Sequence, residues 1–380
     1  MKSPDAIIIG AGIVGATAAL ALTNEGLKVL VVDRGPVAGG TTGAGEGNIL
    51  VSAKEPGPEL TLALRSRDLW FELQEDVGDS FELEAKGGVV VARHDPTPLM
   101  EFANHQRGAG VDAQEVSSAE LRKLEPHLTH SITSGVFYPQ DSQCQPMLAA
   151  AQMLRAVRQR GGEVVTGATV REISTAAGRI SGIKTTNGNF SAPIVVNATG
   201  TWAGEVARLA GSHVPIAPRK GFILVTAPAP QLIFHKVYDS DYVANVASGD
   251  ADLQTSTVVE GTRAGTILIG ASRERIGFDG AMNVDILRRL AAQATSLFPI
   301  LRDIQLLRAY RGFRPYAPDH LPVIGEDSMV AGLWHSAGHE GAGIGLAPAS
   351  AALIAQQITG QRPFMDPTPF SPKRFQAGAA

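Results

Sequence analysis

Three glycines at G-x-G-x-x-G spacing, Gly10, Gly12 and Gly15, follow the β-branched run Ile7-Ile8-Ile9, and an acid, Asp33, closes a second apolar run, Val29-Leu30-Val31-Val32. Glycines placed this way let a chain turn tightly, bring its backbone against a pyrophosphate, and pack a helix closely on the preceding strand. The helix start then offers free N–H groups and the positive end of its dipole to phosphate. Asp33 accepts hydrogen bonds from a ribose 2′-hydroxyl and repels a 2′-phosphate, so the expected ligand is NAD or FAD rather than NADP. The spacing alone recurs readily in a chain of 380 residues with 42 glycines; the strand before it, the helix after it and the second strand ending in acid give it meaning. The residues expected to hold the nucleotide here are Gly10, Gly12, Ile13, Val14, Gly15, Asp33 and Arg34.

A loop rich in glycine follows, from Gly39 to Asn48, and implies backbone lying close against a flat or charged ligand. Its candidate contacts are Thr41, Thr42, Gly43, Gly47 and Asn48. A third glycine-rich helix start, Gly338-His339-Glu340-Gly341-Ala342-Gly343-Ile344, lies near the far end of the chain, and an apolar strand over 194–198 runs into Thr199-Gly200-Thr201-Trp202. Ligands of open α/β sheets sit at the carboxyl ends of such strands.

Apolar periodicity and breakers set the elements that position these groups. Helices are predicted over 16–25, 59–76, 98–106, 146–160, 284–297 and 344–359, with Gly26 and Gly360 as stops. Leu60, Leu62, Leu64, Leu69 and Leu73 supply the apolar face of the second. Strands are predicted around 87–93, 134–138, 163–165, 168–173 and 266–270, and Asn187-Gly188 marks a hairpin turn. The order alternates nucleotide segment with another sheet, which a simple division into amino- and carboxyl-terminal domains does not explain. Pro218-Arg219-Lys220-Gly221 reads as a solvated turn before a strand, with a subunit interface as the alternative.

With 44% hydrophobic and 18% charged residues, the chain is globular, and a net charge of −4 argues against a nucleic-acid or anionic-lipid face. A single cysteine, Cys144, excludes a disulfide framework and a cysteine-rich metal site, and fits a reducing cytoplasm. No histidine and acid set has zinc-ligand spacing, so no metal is expected. No apolar run approaches the roughly 20 residues of a membrane span, and the amino terminus leaves no separate secretory segment. The tail after Gly360 is expected to be loosely held.

The amino-terminal motif, Val195-Val196-Asn197-Ala198-Thr199-Gly200 with Trp202, the block from Arg311 to Asp319 followed by Pro322-Val323-Ile324-Gly325, and the carboxyl-terminal Gly338 to Ile344 together resemble the D-amino-acid-oxidase and glycine-oxidase superfamily of FAD enzymes. The resemblance spans essentially the whole chain. In its last block it is similar to the FAD subunits of opine dehydrogenase, D-hydroxyproline dehydrogenase and hydrogen cyanide synthase.

The resemblance implies an α/β fold, α+β overall. A Rossmann-like FAD-binding domain would be assembled from 1–85, 145–212 and 320–365, a substrate domain of mainly antiparallel sheet from 86–144 and 213–319, and a tail from 366–380. It places Val170 beside the adenine, Ala198 and Gly200 along the pyrophosphate, and Trp202 near the cofactor loop. Gly338, His339, Glu340, Gly341, Ala342, Gly343 and Ile344 fall at the flavin, with His339 part of its environment and no acid–base role. Arg314 is the expected anchor of a substrate carboxylate, since a guanidinium fork binds both oxygens and stays charged; Arg308 and Arg311 share its neighbourhood. FAD is expected to be non-covalent, because the stretch where some relatives attach flavin reads Gly40-Thr41-Thr42-Gly43.

The implied reaction is oxidation of a C–N bond in an imino acid, D-amino acid or opine-type secondary amine, as a dehydrogenase subunit. The alternatives are a stand-alone oxygen-using oxidase and a flavin-bearing subunit inactive without partner chains. A second redox subunit, or FMN at a subunit interface, would carry electrons onward. Tyr242, Tyr310, Tyr316, His235, His320 and His335 could line the substrate cavity, although packing is the commoner fate of each residue type.

Overall fold

The computed structural model describes residues 3–242 and 249–375. Its organising element is a six-stranded sheet in the order Val323–Glu326, Leu333–Ala337, Ile194–Asn197, Ala6–Ile9, Val29–Val32, Glu163–Val165. All neighbours run parallel except the edge pair Val323–Glu326 and Leu333–Ala337. The first two strands of the chain are apolar and buried at every position, as a sheet covered on both faces requires.

The opening helix Ile13–Asn24 and the closing helix Gly343–Ile358 lie side by side against this sheet. The contact is intimate because the residues are small. The Thr17 hydroxyl donates to the Ala347 carbonyl at 3.3 Å, and a methyl group placed on Gly343 would lie 3.9 Å from Val14 Cγ2. Pro58–Val77 packs on the closing helix, where the Trp70 indole N–H donates to the Ile344 carbonyl at 3.2 Å.

A second sheet has eight strands in the order Leu306–Tyr316, Ala217–Thr226, Ile267–Arg273, Gln254–Gly261, Lys236–Asp239, Gly88–Val91, Ser134–Tyr138, Gln114–Ser117. It is antiparallel except where Lys236–Asp239 runs beside Gly88–Val91. The helix Val284–Leu297 seals one face with Ile286, Leu290, Ala294 and Leu297, capped by the Asn283 side chain. A three-stranded antiparallel sheet, Val170–Ala176, Arg179–Thr185 and Gly188–Ser191, turns at Asn187-Gly188. No helix among the described residues is long and apolar enough to cross a membrane.

Two expectations need correction. Pro218 to Gly221 is neither a solvated turn nor a docking face but the beginning of the strand Ala217–Thr226, with Arg219 and Lys220 each 1% exposed. Lys220 is tolerated because Asp279 accepts from its ammonium at 2.8 Å, which lets a charged residue occupy an inner strand. The tail is anchored as far as it is described: Phe370 is fully buried and Arg374 pairs with Asp319 at 2.5 Å. The closing segment 376–380 lies outside the described residues.

The helix–strand junction leaves no room for side chains. A methyl on Gly15 would sit 1.9 Å from the Gly10 carbonyl oxygen, and one on Gly10, whose φ is +117°, 2.4 Å from the Ala198 carbonyl oxygen. Gly15→Ala therefore forces the opening helix off the sheet. It should lower stability by about 1–3 kcal/mol, read as a reduced urea midpoint, and reduce nucleotide retention on gel filtration.

Candidate functional site

A cavity of about 500 Å³ lies at the carboxyl end of the six-stranded sheet. Gly10, Gly12, Ile13 and Val14 form one wall, with Asp33 and Arg34 beside them. Thr41, Thr42 and Asn48 come from the glycine-rich loop, and Val170, Ala198, Gly200 and Trp202 from the middle of the chain. His339, Glu340, Gly341, Gly343 and Ile344 close the far side, and Arg314 reaches it from the eight-stranded sheet. Widely separated stretches of the chain thus border one space.

Five of the expected residues do not border it. Gly15 packs on Gly10, and Gly43 on the Ala38 carbonyl. Gly47 passes the Cys144 carbonyl so closely that a methyl would lie 1.8 Å from that oxygen. Gly338, with φ +77°, turns the chain beside Ile216 and Ala317, and Ala342 faces a neighbouring cavity. For Gly15, Gly43 and Gly47 the glycine identity reflects close backbone packing around the cavity wall.

The groups at the cavity suit a dinucleotide. Neither helix that starts there is capped by its own N-cap residue, Gly12 or Ala342, so first-turn N–H groups other than that of Ile13 remain for a ligand. Thr42 accepts from the Ile13 N–H at 3.0 Å and holds the loop over the first turn. Asp33 accepts from the N–H groups of Ala11 and Gly35, both at 2.7 Å, which fixes the carboxylate while lone pairs remain for ribose hydroxyls. Arg34 lies over the Trp202 ring at 4.2 Å, and Trp202 stacks on Phe278.

A second cavity of about 270 Å³ adjoins the first, and Asn48, Tyr242, Arg314, His339, Glu340 and Gly341 border both. Arg219, Arg273 and His320 border only the second. Arg219 donates to Glu340 at 3.4 Å, and His320 Nδ1 meets the other Glu340 oxygen at 3.2 Å. Lys54 and Glu59, which also border the second cavity, form a separate pair at 2.5 Å. Burial lowers Arg273 to about 10, with the neighbouring Arg314 and Arg219 charges pushing the same way and Tyr242 opposing them. It stays charged at neutral pH.

Arg314 donates to the Ser272 carbonyl at 2.8 Å with one of its terminal nitrogens. Its position is fixed from the cofactor side as well, since the Thr41 and Thr201 hydroxyls both donate to the carbonyl of the preceding residue, Phe313, at 2.7 and 2.8 Å. Of the other aromatic and histidine candidates, Tyr310 donates to the Gly45 carbonyl and Tyr316 packs on His320. His335 is buried against Asp327 at 2.8 Å, and His235 pairs with Glu125. Cys144 is buried, and burial raises its thiol well above the ordinary range, so it is no nucleophile.

The sequence placed Arg219 only in a turn or interface and did not single out Arg273. The signal for Arg219 lay in the apolar run Phe222-Ile223-Leu224-Val225, which continues the strand backwards through it. For Arg273, the predicted strand ends three residues short of the observed Ile267–Arg273. A charge at a strand end gives no hint of its burial.

Fold and site together define a nucleotide-dependent redox enzyme with a cationic pocket against its cofactor cavity. The family model described as FAD dependent oxidoreductase, DAO, matches residues 5–357. Hydrogen cyanide synthase subunit HcnC of Pseudomonas aeruginosa is 28% identical over 422 residues, covering 99% of this chain and 97% of its own. Glycine oxidase of Pseudomonas putida is 29% identical over 383 residues, with 98% and 99% covered. The crystal structure of L-proline dehydrogenase from P. horikoshii superposes with a TM-score of 0.90 at 24% identity, over 99% of this chain and 98% of that one, a likeness of fold. The chain belongs to the DAO family of FAD-dependent oxidoreductases, flavoenzymes that oxidise C–N bonds of amino acids.

His339 is buried, with Nε2 3.0 Å from the Ser350 hydroxyl, and burial, aided by Lys54, lowers it to about 3. It is therefore neutral across the physiological range. An unfolded histidine titrates near 6.5, so the native state resists a proton that the unfolded chain accepts. His339 thus contributes stability that is complete above pH 6.5 and is lost as pH falls towards 3. In His339→Gln the decline of the urea midpoint between pH 6.5 and 4 should be shallower than in the parent; parallel profiles would remove the assignment.

Proposed function

We propose that the chain oxidises the C–N bond of a carboxylate-bearing amine, an imino acid, D-amino acid or opine-type secondary amine, with Arg314 as the carboxylate anchor. The carrying observation is the position of Arg314. It borders both cavities, its guanidinium keeps donors beyond the one spent on Ser272, and a methyl on Gly341 would lie only 3.5 Å from its Nε. A carboxylate held by that fork would place the adjoining C–N bond at the boundary between substrate and cofactor spaces.

The cofactor-binding role is assigned to the residues of 1–85, 145–212 and 320–365 that border the larger cavity, with non-covalent FAD. The stretch 86–144 and 213–319 would shape the substrate side. When bound, FAD supplies a two-electron acceptor for hydride. The chain's own work is to bind, orient and exclude water. Neutral His339 and the uncapped start of the closing helix provide a polar but cation-free wall on the flavin side, with N–H donors suited to negative charge. Loss of hydride and of the nitrogen's proton leaves an imine, which water hydrolyses to a carbonyl compound and an amine.

The likeness to a hydrogen cyanide synthase subunit supports a dehydrogenase that hands electrons to a partner chain, and the likeness to glycine oxidase supports a second reading in which oxygen is the acceptor. Peroxide release by the isolated chain separates them. A cytoplasmic setting accords with a single, buried thiol.

Purified protein supplied with FAD should show flavin absorbance that bleaches anaerobically with a carboxylate-bearing amine. Arg314→Ala should keep its flavin but lose about 2–5 kcal/mol of charge-assisted binding, a drop of at least ~30-fold in kcat/KM. Equal bleaching of variant and parent at low substrate would remove Arg314 from this role.

A further inference from the structure

The smaller cavity carries more positive charge than its own carboxylates neutralise. Lys54 is paired with Glu59, and Arg219 shares Glu340 with His320. Glu55 borders the cavity but is exposed to solvent. Two guanidiniums remain. Arg314 gives one N–H to a backbone carbonyl and meets no carboxylate among the described residues. Arg273 is 4% exposed and its guanidinium, among the described residues, has neither a hydrogen-bond partner nor an ion pair; it lies 5.2 Å from the Tyr242 ring.

A buried charge without a partner is costly, and arginine does not escape the cost by losing its proton at neutral pH. Such a group persists where a ligand completes it. The two forks are also tied together, because the carbonyl that fixes Arg314 belongs to Ser272, the residue preceding Arg273. One therefore cannot be placed without the other.

We infer that the substrate is an amine dicarboxylate, with one acid held by Arg314 and the second by the buried guanidinium of Arg273. This rests on the amine-oxidising reading above and narrows its substrate class. The shared chemistry is two carboxylates on one amine. They can flank the nitrogen, as in N-carboxyalkyl amino acids, or lie at the ends of one carbon chain, as in acidic amino acids.

The test uses the FAD-loaded enzyme. Propionate, succinate and glutarate, which cannot reduce flavin, are titrated against the flavin absorbance spectrum and thermal midpoint. Sarcosine, iminodiacetate, aspartate and glutamate are compared as anaerobic reductants, and the last three separate the two arrangements. A dicarboxylate should bind at least tenfold more tightly than propionate, and Arg273→Met should reduce that ratio at least tenfold. Arg273→Lys, which keeps a charge without the fork, should reduce it less.

Equal affinity of wild-type enzyme for propionate and both dicarboxylates overturns the inference without any variant. So does an unaltered ratio in a flavin-retaining Arg273→Met. If dicarboxylates bind preferentially but no amine bleaches the flavin, the anion subsite stands and the proposed reaction fails. If sarcosine reduces the flavin as well as iminodiacetate, aspartate and glutamate, the reaction stands and the subsite fails.

Discussion

Close approach of backbone to backbone at the end of the first strand is the constraint on which the rest depends. Gly10 turns against the Ala198 carbonyl, Gly15 rests on Gly10, and the opening helix is thereby held with its N-terminus at the mouth of the sheet. The closing helix then packs against the opening one through Thr17, Ala347 and other small residues, so its own uncapped start arrives at the same mouth. Main-chain N–H groups cannot be moved independently of the fold that presents them. The substrate side inherits its position from this arrangement, because the strand Leu306–Tyr316 is fastened to the glycine-rich loop.

Much of the fold was legible because the relevant signals are local. Ala6–Ile9 and Val29–Val32 are short, apolar and bounded by glycine or acid, and Val284–Leu297 has a clean helical face with an asparagine before it. The long strand pair Ala217–Thr226 and Leu306–Tyr316 was harder. Both strands carry arginines, Leu306 and Leu307 are exposed, and their partnership is about ninety residues apart in the chain, so neither periodicity nor turn chemistry announces it. The turn read at Pro218 was the same failure: proline and glycine punctuate a sequence locally, yet pairing across the sheet decided the outcome.

The cofactor side of the site could be read because glycine spacing reports backbone geometry directly. The substrate side could not, since it depends on which charged side chains tertiary packing removes from water. Arg314 stood out through its motif, whereas Arg219 faces it across the strand pair and Arg273 follows Ser272, relationships that exist only in three dimensions. Glu340 joins the two halves, accepting from Arg219 while its backbone, at φ +47°, turns into the closing helix. A residue in that conformation with that partner serves both the polypeptide turn and the charge balance.

The Phe313 carbonyl receives hydroxyls from Thr41, in the loop after the strand Val29–Val32, and Thr201, beyond the strand Ile194–Asn197. One peptide plane farther on stands Arg314. The aim of the guanidinium is consequently calibrated by the nucleotide's own cradle, much as a rifle sight is zeroed by its mount. Cofactor loading and substrate recognition share a single mechanical reference, and an apoprotein with a slack loop would misjudge its anions before any electron could move.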